Sequence, residues 1–302
     1  MKHLCVLLAC LALHVTPMPA GREVAITIDD LPMGGDGGPR SLAAVREMTG
    51  RLLRPFHDQR IPLIGFVNAG RQAELGVEGL RQILDLWLDA GADLGNHSYS
   101  HPDINNVPLD RYTADIVEGE PILRAALAAR GKALRFYRHP FLHAGPTAEI
   151  KKGMQAFLER HGYRVAPVTL DNSDYQYAAL YTRPQYRERV RQEYVPYMES
   201  VVAFFEERSI EVVGREFPQI LLLHANQLNA DLVPDLLAMF RRRGYTFVSL
   251  DRALADDAYR LPDEYVGRGG FSWIHRWSMT KGMKPKGEPD PPAWVSEAWA
   301  TR

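Results

Sequence analysis

Short apolar stretches alternate with longer amphipathic stretches along most of the chain. The apolar stretches predict buried strands at 24–28, 63–67, 92–94, 134–137, 164–170, 220–223 and 246–250. Between them, apolar residues recur at helical spacing and predict helices at 41–53, 77–90, 110–130, 147–161, 184–208 and 232–243. Pro121 is expected to break or kink the third of these helices, and Pro196 the fifth. Such alternation indicates βαβ units around a parallel sheet.

Seven strands favour a closed or nearly closed barrel with helices on its outer face over an open doubly wound sheet. No Gly-x-Gly-x-x-Gly pattern follows the first strand, so a dinucleotide-binding fold has no local support.

The first twenty residues differ from the rest. A short positive start, Met1–His3, precedes an apolar run, Leu4–Leu13, that is too short to cross a bilayer, and small or turn-forming residues follow. This pattern predicts a signal peptide over 1–20 and an exported protein, periplasmic or secreted, with no transmembrane span in the mature chain. A lipoprotein modified at Cys10 is the weaker alternative, because the apolar run continues past that cysteine.

Composition narrows the function. The 302 residues are 46% hydrophobic and 24% charged, with a formal net charge of -1, so no basic excess points to a nucleic-acid partner. The two cysteines, Cys5 and Cys10, both lie in the predicted signal peptide. We therefore expect no disulfide, thiolate metal site or cysteine nucleophile in the mature chain, so histidines and carboxylates must hold any metal.

The strand–helix rhythm ends near residue 255. The remaining segment, 256–302, is aromatic and Gly-rich at first and then polar and Pro-rich. It is expected to pack on the barrel or to be partly flexible. Trp273 and Trp277 within it are interpreted as packing residues rather than as a ligand site.

Charged and imidazole side chains follow five of the seven predicted strands. They are Asp29 and Asp30, His97 and His101, Arg138, Asp171 and Asp174, and His224. Each one alone could be a helix cap, a solvated charge or a core histidine. In a parallel barrel, however, the carboxyl ends of the strands meet at one rim, where active sites are built. Together these residues therefore predict an active site at that rim.

The histidine pair has the spacing of a partial metal site. His97 and His101 lie four residues apart behind a strand end, and neutral imidazole is the commonest protein metal ligand. Ser98 follows His97 where a zincin would have its catalytic glutamate, so a third ligand and a base must come from elsewhere. Two imidazoles and one carboxylate would leave an open coordination position for water.

The motifs at 27–30, 97–101, 138–141, 171–175 and 222–224, taken as a set, resemble those of the polysaccharide deacetylases. This is carbohydrate esterase family four, the NodB-homology domain, and all five motifs occur in the family's order across 22–255. The resemblance implies a catalytic domain over 22–255 with a distorted (β/α)7-type barrel of parallel strands and outer helices. It also implies metal-dependent hydrolysis that removes N-acetyl groups from the amino sugars of a poly- or oligosaccharide.

The resemblance also assigns roles. It makes Asp30, His97 and His101 the metal ligands, with Asp29 as the base and His224 as the acid. Arg138 would hold the base in position and keep it ionised, and Asp174 would do the same for His224. The substrate-binding residues would be Pro140, Phe141 with its backbone amide at the oxyanion, Tyr175, and Leu222 at the acetyl methyl. Zinc is the expected metal, and the same ligands would accept cobalt or nickel.

Three positions depart from the family pattern. Tyr175 stands where the family usually has tryptophan, Leu31 where glycine is common, and Ala225 where an aspartate often follows the histidine. These changes bear on the shape of the acetyl pocket and of the first loop.

Other functions remain open on the same residues. An O-deacetylase or a cyclic-amide amidohydrolase could use this barrel and this site. A non-catalytic glycan-binding relative would lack a base, a ligand or an acid, and none is missing here. A non-haem iron oxygenase also uses two histidines and a carboxylate, but it would not need Asp29, Arg138 and His224 together. The sequence leaves the glycan and the oligomeric state open.

Overall fold

The structure is a computed structural model that describes residues 21–38 and 40–301. The predicted signal peptide, 1–20, lies outside the described residues. The strands are β1 Arg22–Leu31, β2 Leu63–Val67, β3 Asp93–Asn96, β4 Phe136–Tyr137, β5 Arg164–Val165, β6 Gln219–His224 and β7 Tyr245–Phe247. The helices are α1 Leu42–Asp58, α2 Gln72–Leu75, α3 Val77–Asp89, α4 Leu109–Glu118, α5 Glu120–Ala128, α6 Ala148–Arg160, α7 Asp174–Tyr181, α8 Pro184–Val213, α9 Gln227–Arg242, α10 Leu250–Ala253, α11 Trp273–Thr280 and α12 Ala293–Ala300.

The strands form one parallel sheet in the order β5-β4-β3-β2-β1-β6, and β7 pairs with the start of β1. The segment 164–170 bonds to both edges of this sheet. The amide of Ala166 donates to the Tyr137 carbonyl at 2.8 Å, and the amide of Leu222 donates to the Leu170 carbonyl at 3.2 Å. The sheet is thereby curled into the predicted distorted (β/α)7-type barrel of parallel strands with outer helices.

Side-chain alternation along β1 explains why the barrel rim carries the chemistry. Val24, Ile26 and Ile28 are buried in the large core that also contains the apolar faces of the surrounding helices. Ala25 belongs instead to a small second cluster with residues of β2, β4 and β6, which fills the barrel interior. Because side chains alternate along a strand, Asp29 lies on the interior side near the carboxyl end.

Two helical predictions differ from the structure. The long helix was expected to be interrupted at Pro196 and to reach Arg208, but α8 runs through that proline from Pro184 to Val213. It ends at Gly214, whose φ of 87° suits a residue without a side chain. The predicted helix at 110–130 is divided into α4 and α5 at Gly119, with Pro121 in the first turn of α5, where proline is tolerated.

The C-terminal segment packs on the barrel domain. It contains two helices, α11 and α12, that the sequence pattern did not predict. Trp277 is 1% exposed, and its ring lies 5.8 Å from the rings of both Phe217 and Tyr259. Trp273 is buried as well, in agreement with its interpretation as a packing residue. Within the described residues, no helix combines the length and apolar character needed to cross a membrane.

Candidate active site and metal centre

The carboxyl ends of the strands surround a cavity of about 870 Å³. Of the residues that the sequence predicted for the site, those that line it are Asp29, Asp30, His97, His101, Phe141, Asp171, Tyr175, Leu222 and His224. Arg138 and Asp174 lie behind this lining, fully buried. Residues from five separate parts of the chain therefore meet at one rim.

Asp30, His97 and His101 form a compact three-ligand cluster. The Oδ1 atom of Asp30 lies 3.6 Å from the Nε2 atoms of both histidines. The three potential ligand atoms all lie within 4.8 Å of one another. This places two imidazole nitrogens and a carboxylate oxygen around one point, with the composition of a catalytic zinc site.

The protonation of the histidines suits metal binding. The Nδ1 atom of His97 is 2.9 Å from the carbonyl oxygen of Arg138, so Nδ1 carries the proton and Nε2 presents its lone pair. Burial holds the pKa of His97 well below its ordinary value, and burial also lowers the pKa of His101. Burial acts to raise the pKa of Asp30, but the nearby histidines outweigh it and leave that pKa lowered. The donor set is therefore neutral at both imidazoles and ionised at the carboxylate.

A tight loop places the two histidines. The Asn96 side chain accepts a hydrogen bond from the amide of Ser98 at 2.7 Å, and the Ser98 hydroxyl accepts one from the amide of His101 at 3.1 Å. Ser98 and His101 both have left-handed backbone angles, with φ of 71° and 59°. The amide of Gly70 donates to the Tyr99 carbonyl, and a Cβ at residue 70 would lie 2.6 Å from that oxygen. Only glycine allows this approach, which braces the histidine loop.

Asp29 lies beside the metal cluster and is 2% exposed. Its Oδ2 atom is 3.7 Å from Nε2 of His97 and accepts a hydrogen bond from Nη1 of Arg138 at 3.3 Å. Arg138 is held in turn by Thr27, whose hydroxyl accepts from Nη2 at 2.8 Å. Burial raises the pKa of Asp29 to about 6, while the Arg138 charge acts to lower it. The Oδ1 atom of Asp29 is buried and has no hydrogen-bond partner among the described residues, so it is free to accept a proton.

His224 and Asp174 form a strong pair. The Nδ1 atom of His224 lies 2.6 Å from Oδ1 of Asp174, and the backbone amide of His224 donates to Oδ2 at 2.9 Å. The Asn229 side chain donates to the same Oδ2 at 2.8 Å, and the Tyr194 hydroxyl donates to Asn229. Burial acts to lower the pKa of His224, but Asp174 outweighs it and raises that pKa to about 10. The imidazole is therefore protonated near neutral pH, with Nε2 left for the cavity.

The predicted substrate-binding residues fall in different places. Phe141 is 52% exposed and its ring lies 4.5 Å from that of His101, while the Tyr175 ring lies 6.4 Å from that of His224. Leu222 is buried but reaches the cavity. Pro140 is buried and does not line the cavity, although its neighbours His139 and Phe141 do.

Sequence reasoning missed several residues of the site. His139 lines the cavity, is 4% exposed, and has an Nδ1 atom without a partner in the described part of the chain. The loop 34–37 forms part of the rim, and its position directly after the aspartate pair could have revealed it. Glu288 and Trp299 also line the cavity. No pattern indicated them, because they come from a segment without strand–helix alternation.

Comparison with known proteins supports this architecture. A family model described as polysaccharide deacetylase matches residues 17–166. The match includes the aspartate pair, the two histidines and Arg138, and it ends before Asp174 and His224. A search of curated proteins found no match.

Solved structures share the fold. The polysaccharide deacetylase Bc1974 from Bacillus cereus is 17% identical, with a TM-score of 0.54 over 76% of this chain and 91% of that one. BA3943 from Bacillus anthracis, described as a CE4 family pseudoenzyme, is 16% identical, with a TM-score of 0.50 over 78% of this chain and 66% of that one. A mutant of BA3943 is 17% identical, with a TM-score of 0.52 over 78% and 68%. At these identities the likeness shows the fold alone.

Proposed function

We propose that this chain, whose residues 17–166 match the polysaccharide deacetylase family model, hydrolyses N-acetyl groups on the amino sugars of a poly- or oligosaccharide. One observation carries the proposal. A three-ligand cluster lies in one cavity together with a buried carboxylate, Asp29, and a protonated histidine, His224. This is the set of groups that amide hydrolysis needs.

Asp30, His97 and His101 would hold a divalent cation, zinc in the first place, and cobalt or nickel would fit the same ligands. The tautomer of His97, fixed by the Arg138 carbonyl, supports this assignment. Such a cation, when bound, acidifies water and polarises an amide carbonyl.

Asp29 would act as the base. Its free Oδ1 atom accepts the proton of the attacking water, and a pKa of about 6 lets the carboxylate be ionised near neutral pH. Arg138 supports the ionised form through its hydrogen bond and charge, and Thr27 fixes the orientation of the guanidinium.

His224 would act as the acid. As the carbon–oxygen bond to water forms and the amide carbon–nitrogen bond breaks, the proton on Nε2 passes to the departing amine, so that acetate and a free amino sugar result. Asp174 keeps that proton in place until it is needed. The backbone amide of Phe141 would donate to the developing oxyanion, and Leu222 would contact the acetyl methyl.

The same residues argue against a non-catalytic role, because ligands, base and acid are all present and held by buried partners. An O-deacetylase on the same barrel is the alternative. An exported location, periplasmic or secreted, follows as a proposal from the pattern of residues 1–20.

Acetate release from a panel of N-acetylated and O-acetylated glycans, with and without a chelator, tests the proposal. We expect release from at least one N-acetylated glycan, loss of release with the chelator, and recovery on addition of zinc. A protein loaded with zinc that releases acetate only from O-acetylated glycans would establish the alternative. Release from neither class would overturn the proposal.

A further inference from the structure

The C-terminal segment, which lies outside the matched family region, forms one wall of the cavity. Gly270, Glu288 and Trp299 from this segment line it. The backbone at Gly270 lies very close to that of Phe141, because a Cβ at residue 270 would lie 1.9 Å from the Phe141 carbonyl oxygen. The segment is thus built into the site rather than attached to a distant face.

Trp299 forms an aromatic corner with Tyr175 next to His224. The two rings meet edge to face with centroids 5.6 Å apart, and the Tyr175 ring lies 6.4 Å from that of His224. Helix α12 holds Trp299 in place through Trp294, five residues earlier. The Trp294 indole donates to Glu193 on α8 at 2.7 Å, and the Arg189 guanidinium lies 4.1 Å from its ring.

Glu288 is presented to the cavity by a buried histidine. Its Oε1 atom lies 3.0 Å from Nδ1 of His275, whose Nε2 lies 2.9 Å from the carbonyl oxygen of Lys286. His275 therefore fixes both the loop and the carboxylate. Asp171 lines the same cavity from the barrel side, and burial, together with the charge of Glu288, raises the pKa of Asp171 to about 8.

We propose that Trp299, with Tyr175, and Glu288 form a sugar subsite beside His224 that selects neutral or cationic amino-sugar glycans. The aromatic corner offers apolar surface to the C–H groups of a sugar ring, and the carboxylate accepts hydrogen bonds from hydroxyl or ammonium groups. A carboxylate on the substrate would be repelled by the charge of Glu288, which lines the cavity. This inference rests on the proposed function and names the substrate class of the same site.

Steady-state kinetics on two acetylated tetramers tests the subsite. One is the neutral N-acetylglucosamine tetramer, and the other is a hyaluronan tetramer, which contains uronic acids. We expect Trp299→Ala to raise KM for the neutral tetramer about 2- to 10-fold with little change in kcat, because an aromatic contact acts on binding. Trp299→Phe should restore part of this loss. Glu297→Ala, a change at an exposed position of the same helix that does not line the cavity, is the matched control and should leave KM unchanged.

Glu288→Gln should lower the ratio of kcat/KM for the neutral tetramer to kcat/KM for the acidic one, because it removes a negative charge from the cavity. Calorimetric Kd values for the neutral tetramer, measured with each variant, give a readout independent of turnover. A KM and Kd for Trp299→Ala equal to those of Glu297→Ala would overturn the aromatic part of the inference. An unchanged ratio of kcat/KM between the two tetramers in Glu288→Gln would overturn the charge part. If the wild-type protein released no acetate from any glycan, the proposed reaction would be overturned. The Kd values for the neutral tetramer would still show whether Trp299 contributes to binding.

Discussion

Removing the Asp174 carboxylate should shift the alkaline limit of activity. In Asp174→Asn, His224 loses the charge that faces its Nδ1 atom at 2.6 Å. The new amide also cannot satisfy all its neighbours, because the His224 amide and the Asn229 side chain both donate to the Oδ2 position. The variant therefore removes a charge and introduces a donor where acceptors are needed.

The structure gives the size of the effect. The pKa of His224 is raised from 6.5 to about 10, which corresponds to about 5 kcal/mol in favour of the protonated ring. Burial alone acts in the opposite direction, so without Asp174 the pKa should fall to its ordinary value or below. Because the acid works only when protonated, the alkaline limb of kcat/KM should move down by several pH units.

The assay is acetate release measured from about pH 5 to pH 11, for wild type and variant at saturating metal. Asp231→Asn is a suitable control, because it removes a carboxylate from the same helix as Asn229, one that pairs with Tyr181 and Arg51 instead. The control should keep the wild-type profile. An alkaline limb in Asp174→Asn that coincides with that of wild type would refute the assignment of His224 as the acid.

Three further predictions follow from the buried groups. Arg138→Met should lower the free energy of unfolding by about 3–5 kcal/mol in a denaturant titration. It should also move the acidic limb of the activity profile to higher pH, because Asp29 loses the charge that lowers its pKa. The control Arg164→Met, in an exposed ion pair, should lower the free energy of unfolding by less than about 1 kcal/mol. Zinc at 100 times its Kd should stabilise the protein by about 2.7 kcal/mol in thermal unfolding, and His101→Asn should abolish that gain. Trp277→Ala should cost about 3–5 kcal/mol within one cooperative transition, whereas a loosely attached C-terminal segment would show a separate early transition or almost no loss.

The barrel was predictable because its signals are periodic. Strands such as 63–67 and helices such as 77–90 carry the alternation that parallel βαβ units require, and the predicted limits agree with β2 and α3 to within a residue. The continuity of α8 through Pro196 was not predictable in the same way. Packing of its buried face, which includes Tyr194 and Tyr197 on either side of the proline, outweighs the local preference.

The residues at the centre of the site were predictable from the sequence for a related reason. Residues that follow the strands of a parallel barrel must meet at one rim, so the sequence alone placed Asp30, His97 and His224 together. Residues that reach the site from other parts of the chain could not be predicted in this way. Asn229 supports Asp174 from the first turn of α9, and Trp299 reaches the site from α12. Neither position has a sequence pattern that sets it apart from ordinary packing.

The central claim is that loops far apart in the chain gather one divalent cation beside a separate base and acid. Titrating the metal-free protein with zinc, while measuring bound metal and acetate release together, tests it most directly in wild type and Asp29→Asn. We predict one zinc bound per chain in both proteins. Acetate release should rise with the bound zinc in wild type and stay about 10²- to 10⁴-fold lower in the variant. Full turnover in Asp29→Asn, or turnover in wild type that does not depend on bound metal, would contradict it.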